Sequence, residues 1–203
     1  MKFDVISFDM FQTLVDINSR KYSVWQSILQ GEYSREKAEL FWKETLEYSN
    51  KNCKLIREGR EGFCLMEESF TNIYNTIFMK YNIQFDGKEA TKILFKEHNN
   101  APLFPDAKII LQKLLAHNII VTSDSDNKMI RPIIANLGDI KYYTSEAIRF
   151  YKMDFQNRFF LHILKDLNIN PENILHIGDG TADILGAKNA GIKTCWINRD
   201  GKV

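Results

Sequence analysis

Cysteine is scarce in this chain: Cys53, Cys64 and Cys195 are the three present, and they are widely spaced. Such spacing gives neither a disulfide framework nor the ligand pattern of a zinc site, and it suits reduced thiols. An excess of one charge is also missing. With 27 Lys and Arg against 26 Asp and Glu, the formal net charge is +1. No basic stripe is available to make nucleic acid or an anionic membrane surface the expected partner. No apolar stretch is long enough to span a bilayer, and Met1-Lys2 leads directly into an apolar strand instead of a signal peptide. The expectation is a cytoplasmic protein. The four histidines, His98, His117, His162 and His176, show no mutual spacing suited to metal. His176 lies inside an apolar run, where a satisfied core imidazole is expected. Internal repeats and low-complexity linkers are absent as well.

What the chain does have is two apolar runs, one near each end, that stop at acidic residues. Val5-Ile6-Ser7-Phe8 stops at Asp9, and Ile174-Leu175-His176-Ile177-Gly178 stops at Asp179, with Asp183 four residues later. In an open parallel sheet, ligands bind outside the carboxyl ends of the strands, so these carboxylates can converge on one site although far apart in sequence. Converging carboxylates point to a hard cation. The length of 203 residues accommodates one domain, or one domain carrying a smaller insertion, with a sizeable core in either case.

Residues 3–8 read as a short β-strand. From about Ser19 to Asn100 the periodicity is helical, with many aromatic and charged residues and hardly any strand signal. Phe41, Leu46 and Tyr48 fit one amphipathic helix, Phe70, Ile73, Tyr74 and Ile77 a second, and Ile93, Leu94 and Phe95 a third. After Pro102 and Pro105 the chain alternates between helix and strand. Helices are expected near 106–117, 127–137, 155–167 and 182–190. Strands are expected at Ile119–Thr122, 140–143, 173–177 and Thr194–Ile197. This alternation with short connections predicts a parallel α/β sheet with right-handed crossovers, to which the N-terminal strand belongs. The predicted organisation is therefore an α/β core of residues 1–15 and 101–203, interrupted by a helical insertion of residues 16–100. Trp25, Phe41, Trp42, Phe63, Phe70 and Tyr74 are expected to form mostly the insertion's core.

Four segments carry the chemistry: Asp9 with Thr13 and Leu14; Thr122-Ser123-Asp124-Ser125-Asp126; Tyr151-Lys152-Met153-Asp154; and Gly178-Asp179-Gly180-Thr181-Ala182-Asp183. In this order, on these elements, they resemble the haloacid dehalogenase-like (HAD) hydrolase superfamily. Gly186-Ala187, Ala190-Gly191 and Trp196-Ile197-Asn198-Arg199 extend the resemblance over the whole α/β part. The helical insertion resembles that family's cap domain. Singly, Asp9 would pass for a turn residue, Ser123 for a helix cap, Lys152 for a solvated side chain, and Asp179 and Asp183 for caps of the following helix.

The resemblance implies a catalytic Asp9 that attacks phosphorus or carbon to form a covalent aspartyl intermediate, later hydrolysed by water. Ser123 would donate its hydroxyl to a phosphoryl oxygen, and Lys152 would neutralise charge on the transferring group while keeping Asp9 ionised. Mg²⁺ would be held by Asp9, Asp179, the Phe11 backbone carbonyl and Asp183, part of the shell being water. Phe11, Thr13, Asp124 and Lys43 are assigned to substrate binding. Four positions depart from the family pattern. Phe11 stands where phosphatases carry a second Asp as general acid and base, assistance commonly worth about 10²–10⁴ in rate. Gln12 replaces the usual Gly, Asp124 a frequent Asn, and Met153 a frequent Pro.

The first reading is a Mg²⁺-dependent phosphatase acting on a small phosphorylated metabolite through an aspartyl-phosphate. The second is a metal-free 2-haloacid dehalogenase, since those enzymes carry an aromatic residue two positions after the nucleophile. Lys43 would then stand where they place an Arg for the substrate carboxylate. Against it, Gly178-Asp179 and Asp183 match the metal-binding form of the fourth motif, dehalogenases usually having Ser in place of that Gly, and Lys lacks the planar fork of Arg. The third is a ligand-binding or regulatory protein that keeps the site without turnover. A dinucleotide-binding reading of Gly178-Asp179-Gly180 with Asp200 fails, because Asp183 occupies the place of the third glycine and the sequence ends at Val203. Whether the chain is a monomer or homodimer stays open.

Overall fold

The computed structural model describes residues 3–114, 116–199 and 201; Asp200 lies outside them. The chain divides into two compact units. One takes the residues through Asp16 together with those from Pro102 onward, and the other is Ile17–Ala101.

The first unit is built on β1 (Val5–Asp9), β2 (Asn118–Ser123), β3 (Lys141–Thr144), β4 (Ile174–Gly178) and β5 (Lys193–Trp196). Among the described residues they form one parallel sheet in the order β3-β2-β1-β4-β5. The central strand β1 buries Val5, Ser7, Phe8 and Asp9, as expected of a strand covered on both faces. In register, Asp9 pairs with Thr122 of β2 and Phe8 with Ile177 of β4. The chain winds from β1 to one side through β2 and β3, then returns to the other through β4 and β5. The carboxyl ends of β1 and β4 therefore flank the switch point at which such sheets bind ligands.

The helices of this unit follow the predicted alternation, with boundaries shifted for local reasons. In chain order they are Pro105–Lys113, Asn127–Ala135, Ser145–Ile148, Arg158–Leu167 and Thr181–Asn189. The four-residue helix Ser145–Ile148 was not anticipated; Thr144 caps it by accepting from the Ala147 N–H, and Arg149 stops it in the left-handed region at φ +67°. The helix expected to begin near 155 begins at Arg158. Asp154 instead captures the N–H groups of Gln156 and Arg158, and Asn157 is left-handed at φ +57°. Phe159, Phe160, Ile163 and Leu164 form the buried stripe of that helix, packed in one cluster with Val5, Ile120, Ile174, Ala187 and Ile192.

The second unit is helical: α1 (Lys21–Leu29), α2 (Arg35–Arg57), α3 (Met66–Tyr81) and α4 (Gly87–Asn99). Three of these match the expected amphipathic helices; α1 is the addition. Ser34 caps α2 through the Lys37 N–H, and Asp86 caps α4 through the Glu89 N–H. The core centres on Trp25, fully buried, with ring centroids 5.0 Å from Phe41 and 5.6 Å from Tyr74. Phe41, Trp42 and Tyr74 are buried there as expected, whereas Phe63 and Phe70 remain partly exposed. No helix among the described residues is long and apolar enough to cross a membrane.

Candidate active site

The chain after β1 forms a tight loop. The N–H groups of Leu14 and Val15 both donate to the Met10 carbonyl at 2.9 Å, and the Gln12 N–H donates to the Val15 carbonyl at 2.7 Å. Closing this loop puts Gln12 in the left-handed region at φ +63°. That is the physical reason a glycine suits this position, and why Gln12 is a departure with a backbone cost. The loop carries the Thr13 hydroxyl to Asp179 Oδ1, to which it donates at 3.2 Å. The two strand ends that the sequence suggested would converge are thus joined.

Lys152 lies at the centre of the site. Its side chain is 2% exposed, and its ammonium donates to Asp9 Oδ1 at 2.5 Å and to Asp183 Oδ1 at 2.6 Å. Burial disfavours the charged ammonium, but Asp183, Asp9 and Asp124 outweigh it and hold Lys152 above its ordinary value. Burial likewise pushes Asp183 up, yet Lys152 and His176 hold it well below the usual carboxylate range. Asp9 goes the other way. Burial and the Asp183 charge raise it well above 3.8, with Lys152 pulling against them. Asp179 is raised by burial and by Asp183. Asp124 is pushed up to about 6 by burial.

The lysine and its carboxylates are fixed from behind. Asp124 Oδ1 accepts the Lys152 backbone N–H at 2.8 Å. A Cβ on Gly186 would fall 2.2 Å from the Lys152 carbonyl oxygen, so only glycine lets this helix approach so closely. Asp183 Oδ2 accepts the Gly180 N–H at 3.1 Å, while Oδ1 is also 3.2 Å from His176 Nε2. Burial keeps His176 below its ordinary value, hence neutral at pH 7. An ionised Asp183 can only accept, so Nε2 carries the proton and Nδ1 accepts from the Ser7 hydroxyl at 2.9 Å. A Cβ on Gly178 would meet the Asp183 Cβ and Cγ at 2.4 Å, so glycine there is a condition of Asp183's position.

The α/β unit thus brings together Asp9, Thr13, Lys152, Asp179 and Asp183. Ser123 is buried at the end of β2, one residue past the Asp9–Thr122 pair, and Asp124 follows it. Lys43 belongs to the other unit: it lies on α2, largely exposed and 3.8 Å from Glu47. Sequence reasoning placed His176 in the core correctly but missed its bond to Asp183, and it assigned no role to Ser7, Gly178, Gly186 or Arg199. Asp9, Asp179 and Asp183 offer carboxylate oxygens all within 4.8 Å of one another. Such hard oxygen donors fit Mg²⁺, although Asp183 spends most of its accepting capacity on Lys152, His176 and Gly180.

A model of the haloacid dehalogenase-like hydrolases matches residues 3–191, and the chain belongs to that family. It is 25% identical over 201 residues to (S)-2-haloacid dehalogenase 4A of Burkholderia cepacia, covering 96% of this chain and 82% of that protein. It is 24% identical over 208 residues to haloacetate dehalogenase H-2 of Moraxella sp. (strain B), covering 98% and 88%. Among solved structures, the magnesium-bound HAD-hydrolase YfnB of Bacillus subtilis superposes with TM-score 0.83 at 17% identity, covering 100% of this chain and 92% of that one. The L-2-haloacid dehalogenase of Xanthobacter autotrophicus with chloropropionic acid covalently bound gives 0.76 at 19%, covering 98% and 79%. These likenesses agree on the α/β fold.

Proposed function

We propose that this hydrolase acts as a 2-haloacid dehalogenase, with Asp9 as nucleophile. This reverses the order reached from sequence alone. The observation that carries it is Phe11: the position from which a phosphatase protonates its leaving group holds a side chain with no proton to give, and a halide leaves without one. The naming of both curated relatives as dehalogenases supports the same choice.

In this reading the Asp9 carboxylate attacks the carbon bearing the halogen. The C–O bond of an ester forms as the carbon–halogen bond breaks, and halide leaves with the bonding pair. Lys152 holds Asp9 in line and ionised. Water then attacks the ester carbonyl, releasing the 2-hydroxy acid and restoring Asp9. Asp179 takes the water's proton and passes it to the 2-hydroxy oxygen as the ester bond breaks, the second proton going to solvent; burial and Asp183 make Asp179 the better base of the two other carboxylates in the cluster, whereas Lys152 keeps Asp183 weakly basic. The helical unit serves as the cap, Lys43 supplying charge for the substrate carboxylate and Ser123 a hydroxyl.

One observation favours a second reading. Asp9, Asp179 and Asp183 cluster together, and Lys152 is bonded to two of them, so carboxylates outnumber ammonium groups at the site. Mg²⁺ held by Asp9, Asp179, Asp183 and the Phe11 carbonyl would balance that surplus and neutralise a transferring phosphoryl group. The substrate would then be a phosphate ester whose leaving group departs unprotonated. The deciding experiment measures halide release from 2-chloropropionate with chelator present, beside hydrolysis of p-nitrophenyl phosphate with Mg²⁺, using Asp9→Asn as control. Chelator-resistant halide release that vanishes in Asp9→Asn is expected. Mg²⁺-dependent phosphate release alone would establish the second reading, and silence in both assays would leave a ligand-binding protein.

A further inference from the structure

Arg199 lies 187 residues from Gln12 in sequence, yet all three of its guanidinium nitrogens are committed around the loop that follows the nucleophile. Nε donates to the Gln12 carbonyl at 3.0 Å and Nη2 to the Thr13 carbonyl at 2.6 Å. Nη1 lies 3.2 Å from both carboxylate oxygens of Asp106. The guanidinium plane sits 3.6 Å over the Phe104 ring, and the Phe104 N–H donates to the Leu14 carbonyl at 2.9 Å. The side chain is only 17% exposed. One of these carbonyls belongs to Gln12, the one residue of the loop with positive φ, at +63°, and the other to the residue that follows it. A non-glycine residue there pays a backbone cost that the surrounding structure must outweigh.

We infer that Arg199 is a positioning residue for catalysis: its planar fork locks the strained Gln12–Thr13 turn, and through it sets the Thr13 hydroxyl on Asp179 and the backbone leading from Asp9. Lysine cannot reproduce this, since a single ammonium offers no fixed fork. The strain at position 12 and the clamp at position 199 form one device, so relieving the first should offset loss of the second. The inference rests on the reading of Asp9 as nucleophile, but the clamp itself is measurable without turnover.

The test is amide hydrogen exchange across residues 10–16 in the wild-type protein, Arg199→Met, Arg199→Lys and the double variant Gln12→Gly/Arg199→Met, with turnover of 2-chloropropionate and p-nitrophenyl phosphate recorded in parallel. Arg199→Met should speed exchange of the Gln12, Leu14 and Val15 amides at least tenfold, while amides of β1 remain protected. Arg199→Lys should recover little. The double variant should regain roughly fivefold, the order of a single left-handed backbone penalty. Whichever substrate turns over, kcat should fall about 10-fold to 100-fold with KM little changed, as for a misplaced reacting group. Unchanged loop exchange in Arg199→Met would overturn the inference, as would equal loss of protection throughout the α/β unit or no recovery in the double variant. A wild-type protein inactive on both substrates would instead count against the nucleophile reading, and loop exchange would still decide the clamp.

Discussion

Replacing Lys152 by Met tests the electrostatics of the site most directly. The ammonium is buried and shared between Asp9 and Asp183 at 2.5 and 2.6 Å. Methionine fills much of the same volume but strands two buried carboxylates. Breaking a buried pair from one side typically costs about 3–5 kcal/mol, because the remaining charge stays uncompensated. For a chain of this length that corresponds to a fall in Tm of roughly 6–20 °C. The sign of the pH dependence follows from the titrations. In the native protein Asp183 lies well below its ordinary value, so its contribution is present above the unfolded value of 3.8 and is lost as pH falls through the folded value. Without Lys152 that contribution disappears, and the stranded carboxylates bind protons more tightly than in the unfolded chain. The variant therefore recovers as pH falls, and its deficit is largest near pH 7.5 and smaller at pH 5. Urea unfolding at the two pH values measures this. Adding Asp183→Asn to Lys152→Met should restore part of the loss, since it removes a charge the first substitution stranded. A deficit below about 1 kcal/mol at pH 7.5, or one equal at both pH values, would refute the reasoning. If Mg²⁺ occupies the carboxylate cluster, it should lessen the deficit in a chelator-reversible way.

Two further outcomes follow from neighbours of that lysine. Asp124, raised to about 6 by burial, accepts the Lys152 N–H, so the native pH–rate profile should bend near pH 6. Asp124→Asn keeps an oxygen acceptor without the titration and should abolish the bend; its persistence would assign it to another group. Gly178→Ala would put a methyl 2.4 Å from the Asp183 Cβ and Cγ. Asp183 must then turn away from Lys152 and His176, with an expected loss of about 1–3 kcal/mol by overpacking and at least a tenfold fall in kcat. Wild-type stability and rate in Gly178→Ala would show that Asp183's position is not what the site depends on.

Strand ends were legible in the sequence because a parallel sheet writes them locally: a short apolar run stops where the chain leaves the core, and the residue at that stop faces the ligand crevice. Asp9, Ser123 and Asp179 were found that way. Lys152 came through motif order, since no strand precedes it directly. Contacts between side chains from different strands carry no such local signature. The pairing of His176 with Asp183 arises because β4 and the helix after it fold back on each other, and Ser7 joins only because β1 lies beside β4. Gly178 and Gly186 look like ordinary small residues until a Cβ is set against Asp183 and the Lys152 carbonyl. Gln12 was visible as a departure, but only the φ of +63° explains what the departure costs.

Those unforeseen contacts decide how the charges divide. A carboxylate has about four accepting sites, and Asp183 uses three of them on Lys152, His176 and Gly180. It is thereby fixed as an anion and made a poor base, and it holds the Lys152 ammonium. Lys152 must then serve Asp183 and Asp9 together, and its hold on Asp9 is incomplete; burial and the Asp183 charge leave Asp9 raised. A raised carboxylate is the more reactive nucleophile once ionised, provided a cation stays within reach to keep it so. Lys152 is that cation in the dehalogenase reading and shares the task with Mg²⁺ in the phosphatase reading. The same shared ammonium thus supports either chemistry, and under both readings Phe11, a side chain with no proton to give, calls for a leaving group that departs without one.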